Sequence, residues 1–142
     1  MNIKKTVNLL LNFATKRLAE IFGIITFISG TMLLVALITY SPEDPNFIFP
    51  ENTEINNLLG FQGSYVSDLL FQSVGIIAYL ISFTLMITGI NIFRIKEFFL
   101  IIENIFFTTL YCIFGTLFLT FFYSKGFALY INGNGGFIGN YL

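Results

Sequence analysis

Between Asp68 and Arg94 the chain carries no charged residue, and residues 69–93 are almost unbroken Leu, Ile, Val, Phe, Ala, Tyr and Met. A helix needs about 20 such residues to cross a hydrocarbon core of ~30 Å, so the run predicts a spanning helix over residues 65–93. Its interior carries a second pattern. Gly75, Ser82 and Gly89 recur every seventh residue with Ala78 between them, which at roughly 100° per residue puts all four within about 60° of one another. Apolar surfaces gain little by meeting in lipid, and helices there associate by close backbone approach along stripes of small residues. The run therefore predicts the central member of a helical bundle.

Composition agrees with a membrane protein. Of 142 residues, 56% are hydrophobic and only 11% charged, and the mean hydropathy is +0.81, far from the balance of a soluble domain of this size. With no His and one Cys there is neither a His/Cys metal constellation nor a disulfide framework. No metal, cofactor or catalytic residue is assigned.

Before the central run, Ile3, Val7, Leu10, Leu11, Ala14 and Leu18 share one helical face, and Lys4, Lys5, Asn8, Asn12 and Lys16 share the other. Residues 1–20 are predicted to be a basic amphipathic leader on the membrane surface. A first spanning helix is expected over residues 21–40, with its own small stripe at Gly23, Thr26 and Gly30. All three prolines, Pro42, Pro45 and Pro50, then fall within nine residues and end it. They open a loop over residues 41–64, in which residues 52–60 could form a short helix with Gly60 at its C′ position. Gly63 or Ser64 is expected to cap the central helix, with Asp68 in its first turns and Gln72 beside it at the mouth of the bundle. After the charged turn of residues 94–97, a third span is expected over residues 98–123, with small residues at Thr108, Cys112 and Gly115. The tail, residues 124–142, begins as a loop with a flexible glycine turn at residues 133–136.

The expectation is thus an all-α bundle of three transmembrane helices. Lys4, Lys5, Lys16, Arg17, Arg94 and Lys96 flank one side and only Lys125 the other, six against one, which predicts a cytoplasmic N-terminus. The acidic loop and the tail then face outward. Glu103 is the one carboxylate inside an apolar run, but at about 7 to 8 Å from the charged turn by helical rise its carboxylate reaches the headgroups. Cys112 has no His or second Cys to activate it and reads as a small packing residue. The basic residues are too few, and too close to the membrane, for a nucleic-acid surface.

One stretch is more specific. Leu37-Ile38-Thr39-Tyr40-Ser41-Pro42-Glu43-Asp44-Pro45 is followed by Asn57-Leu58-Leu59-Gly60-Phe61-Gln62-Gly63-Ser64-Tyr65-Val66-Ser67-Asp68-Leu69-Leu70-Phe71-Gln72 and then Gly75-Ile76-Ile77-Ala78-Tyr79-Leu80. This pattern resembles the N-terminal four-helix membrane domain of FtsK/SpoIIIE-type DNA translocases. Gly135-Gly136-Phe137-Ile138-Gly139 is similar to the lead-in to that domain's last helix. The likeness covers residues 17–142, and its specific part is Ser41, Pro42, Asp44 and Pro45 with Gly60, Gly63 and Asp68.

The resemblance implies a bacterial inner-membrane anchor at the division septum, in contact with the bilayer and with other division proteins. It also implies a hexameric assembly and a tethered cytoplasmic motor that uses ATP and Mg to move double-stranded DNA. This sequence has no P-loop, so the expectation is a fragment that neither hydrolyses ATP nor binds DNA itself. Two other readings stay open: a small accessory subunit of a transporter or respiratory complex, and a proton or ion pathway using Glu103 and Asp68.

Overall fold

The computed structural model describes residues 3–46, 54–123 and 133–142. Every regular element among them is helical: α1 (Ile3–Ile38), α2 (Gly60–Val74), a 3-10 turn (Gly75–Ile77), α3 (Ala78–Ile95), α4 (Phe99–Phe122) and α5 (Gly136–Tyr141). Three segments are long and apolar enough to cross a membrane: Val7–Ile38, Gly60–Ile95 and Phe99–Phe122.

The expected leader and first span are one helix. Nothing between Ile3 and Phe22 interrupts it, because that stretch has neither Pro nor Gly. Its far end is terminated by capping. The Asn57 side-chain amide donates to the Ala36 carbonyl at 2.9 Å and the Thr39 carbonyl at 3.4 Å, two of the acceptors a helix C-terminus leaves open.

The single helix expected over residues 65–93 is instead two. Gly75 has φ 60° and ψ −139°, a conformation that costs an L side chain far more than glycine, and it ends α2. The 3-10 turn follows, and α3 starts at Ala78. Gly75 therefore leaves the stripe it shares by spacing with Ser82 and Gly89. Nor is Gly60 a helix terminator: residues 54–59 are non-helical, and Gly60, at φ 66°, starts α2. Gly63 and Ser64 lie inside α2, whose N-cap position is Leu59, and Asp68 stands in its middle. Residues 47–53, with Pro50, and residues 124–132, with Lys125, lie outside the described residues.

α1 and α3 form the principal pair and run antiparallel. Gly23 lies against Gly89 and Phe93, Gly30 against Met86, and the Tyr79 hydroxyl donates to the Leu37 carbonyl at 3.2 Å. α4 runs antiparallel to α3, with Asn104 beside Thr88 and Gly115 beside Ile77. α2 packs across the end of α1, where Leu37, Phe71, Val74, Ile77 and Ala78 form the buried core. Tyr40, Phe71 and Tyr79 extend it, with ring centroids 4.9 and 5.5 Å apart. Elsewhere large apolar side chains point outward, among them Phe114, Phe121 and Ile87. An apolar exterior around backbone hydrogen-bonded within its own helices is what a bilayer requires.

Candidate functional site

Three clusters hold the bundle together, and each joins residues distant in sequence. The first is the α1–α3 seam. A Cβ on Gly23 would stand 2.8 Å from the Gly89 carbonyl oxygen and 2.7 Å from the Phe93 nitrogen, and one on Gly89 would stand 2.7 Å from the Gly23 carbonyl oxygen. The two backbones touch reciprocally, close enough for weak Cα–H···O contacts. A Cβ on Gly30 would likewise stand 2.8 Å from the Met86 nitrogen. Ala78 and Ser82 are fully buried, and the Ser82 hydroxyl is satisfied by the Tyr79 carbonyl at 2.7 Å. Thr26 does not join this contact. It bonds back to the Phe22 carbonyl and lines a cleft of about 430 Å³ between α1, α3 and α4.

The seam is clasped at the end where the basic residues lie. Glu20, just before the apolar run of α1, accepts from Lys96 and Arg17, both at 2.6 Å. The Lys96 ammonium first, then the Arg17 guanidinium, holds the Glu20 carboxyl below its usual range. Lys96 reaches it from the C-cap of α3 with φ 64°, a left-handed position normally given to Gly or Asn.

The second cluster lies at the opposite, loop end. Asp44 is buried, and its carboxylate accepts the Asn56 and Asn57 backbone N–H groups at 2.8 and 2.9 Å and the Asn56 amide at 3.1 Å. Asn57 then caps α1 and presses on Gly63, where any Cβ would collide with its side-chain oxygen. Ser64 donates to the Pro45 carbonyl at 2.9 Å. Asp68 accepts the Tyr40 hydroxyl at 2.9 Å and the Gln72 amide at 2.7 Å. The loop motif residues Asp44 and Gly63 thus gather round Asn57, Pro45 is held by Ser64, and Asp68 adds a polar contact to Tyr40 at the same end of the bundle. Ser41 and Pro42 form the turn that leads in, with the Asp44 N–H on the Ser41 carbonyl at 3.2 Å.

The third cluster lies where α4 meets α5. Gly115 of α4 faces Ile77 and Cys112 packs against the core that includes it, while Cys112 and Thr108 also line a groove toward Ile138 and Tyr141 of α5. The close contact of α4 lies one turn on. Gly135 and Gly139 both rest on Thr116 and Thr120, and Thr116 is fully buried. The glycine stretch is not the flexible turn expected from the sequence. Gly136 (φ 65°) lies backbone to backbone with Gly75, and Asn134 accepts the Ile76 N–H at 3.0 Å while donating to the Tyr123 carbonyl at 2.9 Å. The spacing Gly135-x-x-x-Gly139 facing Thr116-x-x-x-Thr120 carried that signal in the sequence. The Glu20–Lys96 clasp and the Asn57 cap carried none, because only folding makes them neighbours.

Glu103 is exposed on α4, near the clasp end, and Asp68 lies at the other. The structure does not bring the two carboxylates together. Among the described residues no group of three or more His, Cys, Asp or Glu could hold a metal ion. The clusters supply packing and polar contacts between helices, with Thr120 Oγ1 and Asn134 Oδ1 of the third cluster buried without a hydrogen-bond partner.

Comparison with known proteins gives the same pattern a family. The model of the 4TM region of DNA translocase FtsK/SpoIIIE matches residues 15–142. Among curated relatives, the DNA translocase FtsK of Rickettsia bellii is 35% identical over 78 residues, 55% of this chain and 10% of that protein. That of Caulobacter vibrioides is 37% identical over 69 residues, 49% of this chain and 8% of that protein. That of Azospirillum brasilense is 35% identical over 79 residues, 54% of this chain and 12% of that protein. The alignments thus span about a tenth of the relatives' length. No solved structure matches the chain. The three apolar spans and the family match lead to one conclusion: the chain belongs to the family of the 4TM region of the DNA translocase FtsK/SpoIIIE.

Proposed function

We propose that this chain is the membrane anchor of an FtsK-like DNA translocase acting in bacterial cell division and chromosome segregation. Its job is to hold the translocase in the inner membrane at the septum. The observation that carries this reading is the family match across residues 15–142, set on a bundle whose polar clusters serve packing. The six-to-one split of basic residues supports a cytoplasmic N-terminus, with the loop over residues 41–64 on the outer face. There it is placed to meet other division proteins, while self-association, as a hexamer in the family's manner, brings several motors together. ATP and Mg belong to the motor that such an anchor tethers, and no residue of this chain is assigned to them.

The test is a fluorescent fusion of residues 1–142 in dividing bacteria. A band at mid-cell supports septal tethering. An even signal around the whole cell perimeter contradicts it while leaving the membrane assignment standing.

A further inference from the structure

Helix α2 is built inside out. Its buried face consists of Gly63, Ser64, Ser67, Asp68, Phe71 and Val74, four of them small or polar. Its exposed face carries Phe61, Val66 and Leu69, with Gln62 the one exposed polar side chain among them. At about 100° per residue the exposed positions occupy one arc of roughly 140°. A helix at a water interface has the opposite polarity, with its apolar stripe turned inward.

The length of the segment agrees. Gly60–Ile95 has 36 residues, roughly 54 Å of helix at ~1.5 Å per residue, against a hydrocarbon core of ~30 Å. α3 alone, with 18 residues, supplies about 27 Å. α2 is therefore surplus to the crossing, and the break at Gly75 lets it fold over the end of α1. The apolar exposure does not stop there. Leu80, Phe83 and Ile87 on the membrane-crossing α3, which follows α2 after the Gly75 break, are exposed as well.

We infer that α2 lies within the apolar layer of the leaflet at the loop end, its Phe61, Val66 and Leu69 face covered by lipid acyl chains. The polar cluster is then sheltered between α2 and the end of α1, with water kept from Asp68 and Ser67. This inference concerns α2 alone and stands whether or not the chain acts at a septum.

The chain has no Trp, so single tryptophans can report on it directly. Phe61→Trp, Val66→Trp and Leu69→Trp all change exposed positions. Each is reconstituted in vesicles of phosphatidylethanolamine and phosphatidylglycerol, with Phe83→Trp as the acyl-chain reference and Glu54→Trp as the aqueous one. The expected result is blue-shifted emission at all three sites, quenched by doxyl-labelled acyl chains as at Phe83 and insensitive to iodide. Iodide quenching like that at Glu54 would overturn the inference by placing the face in water. Protection from both quenchers would overturn it by placing protein over the face. Hydrogen exchange of the unsubstituted chain in the same vesicles gives a check free of substitution, since slow exchange is expected throughout α2 and exchange as fast as at residues 54–56 would count against it.

Discussion

Gly23 of α1 and Gly89 of α3 crowd each other's missing side-chain space, each placing its carbonyl oxygen within 2.8 Å of where the other's Cβ would be. Three positions earlier on α1, and seven later on α3, Glu20 and Lys96 close the same seam by an ion pair at 2.6 Å. A backbone contact inside the bilayer and a charged clasp at its edge thus fix the register of one helix pair.

Gly89→Ala is expected to cost about 1–3 kcal/mol, since the added methyl meets the Phe27 nitrogen and the Gly23 carbonyl, and backbone cannot move aside as a side chain can. The measurement is unfolding in mixed micelles with increasing dodecyl sulfate. Ile87→Ala, at an exposed position on the same helix, should leave the midpoint nearly unchanged.

Gly75 and Gly133 both have positive φ, 60° and 69°, yet only Gly75 is enclosed. Gly133→Ala should lose on the order of 1 kcal/mol, the backbone penalty alone. Gly75→Ala should lose clearly more, because its methyl would strike the Asn134 carbonyl and separate α5 from the α2–α3 junction. Parallel unfolding curves of the two variants, with limited proteolysis of the tail, decide it.

These comparisons show which features could be read from the sequence. Span length and hydropathy declare themselves over some twenty consecutive residues, and Gly23, Gly30 and Gly89 could be picked out because glycine in an apolar helix has few uses besides close approach. The break at Gly75 could not, since the same glycine also fits the seven-residue spacing of Ser82 and Gly89. What decides between the two roles is Asn134 and Gly136, about sixty residues away, and no local pattern contains them. In the sequence the leader and the first span look separate because charged residues give way to apolar ones near residue 20. Helix continuity depends on the backbone, which has no reason to stop before Thr39.

Asn57→Ala should destabilise the loop end by about 1–3 kcal/mol, the cost of leaving buried groups unpaired. It removes the donor to the Ala36 carbonyl and the acceptor of the Leu59 N–H, and α1 loses its cap. Faster amide exchange confined to the last turn of α1 and the first turn of α2 is the expected signature.

The clasp sets a pH dependence. Because folding lowers the Glu20 pKa, its contribution is present above the ordinary glutamate range and is lost as pH falls through the lowered value. Carboxyl-carbon NMR in micelles should show Glu20 titrating below the ordinary glutamate range. Lys96→Gln should move it upward, and an unchanged titration would mean that the ion pair does not form.

The account turns on three crossings that leave the loop and the charged turn on opposite faces. With Cys112→Ala as background, Glu54→Cys and Glu97→Cys are each treated in intact cells with a membrane-impermeant maleimide. The account predicts labelling at position 54 from outside, and at position 97 only after permeabilisation. Labelling of both from the same side, or of position 97 alone in intact cells, would contradict it.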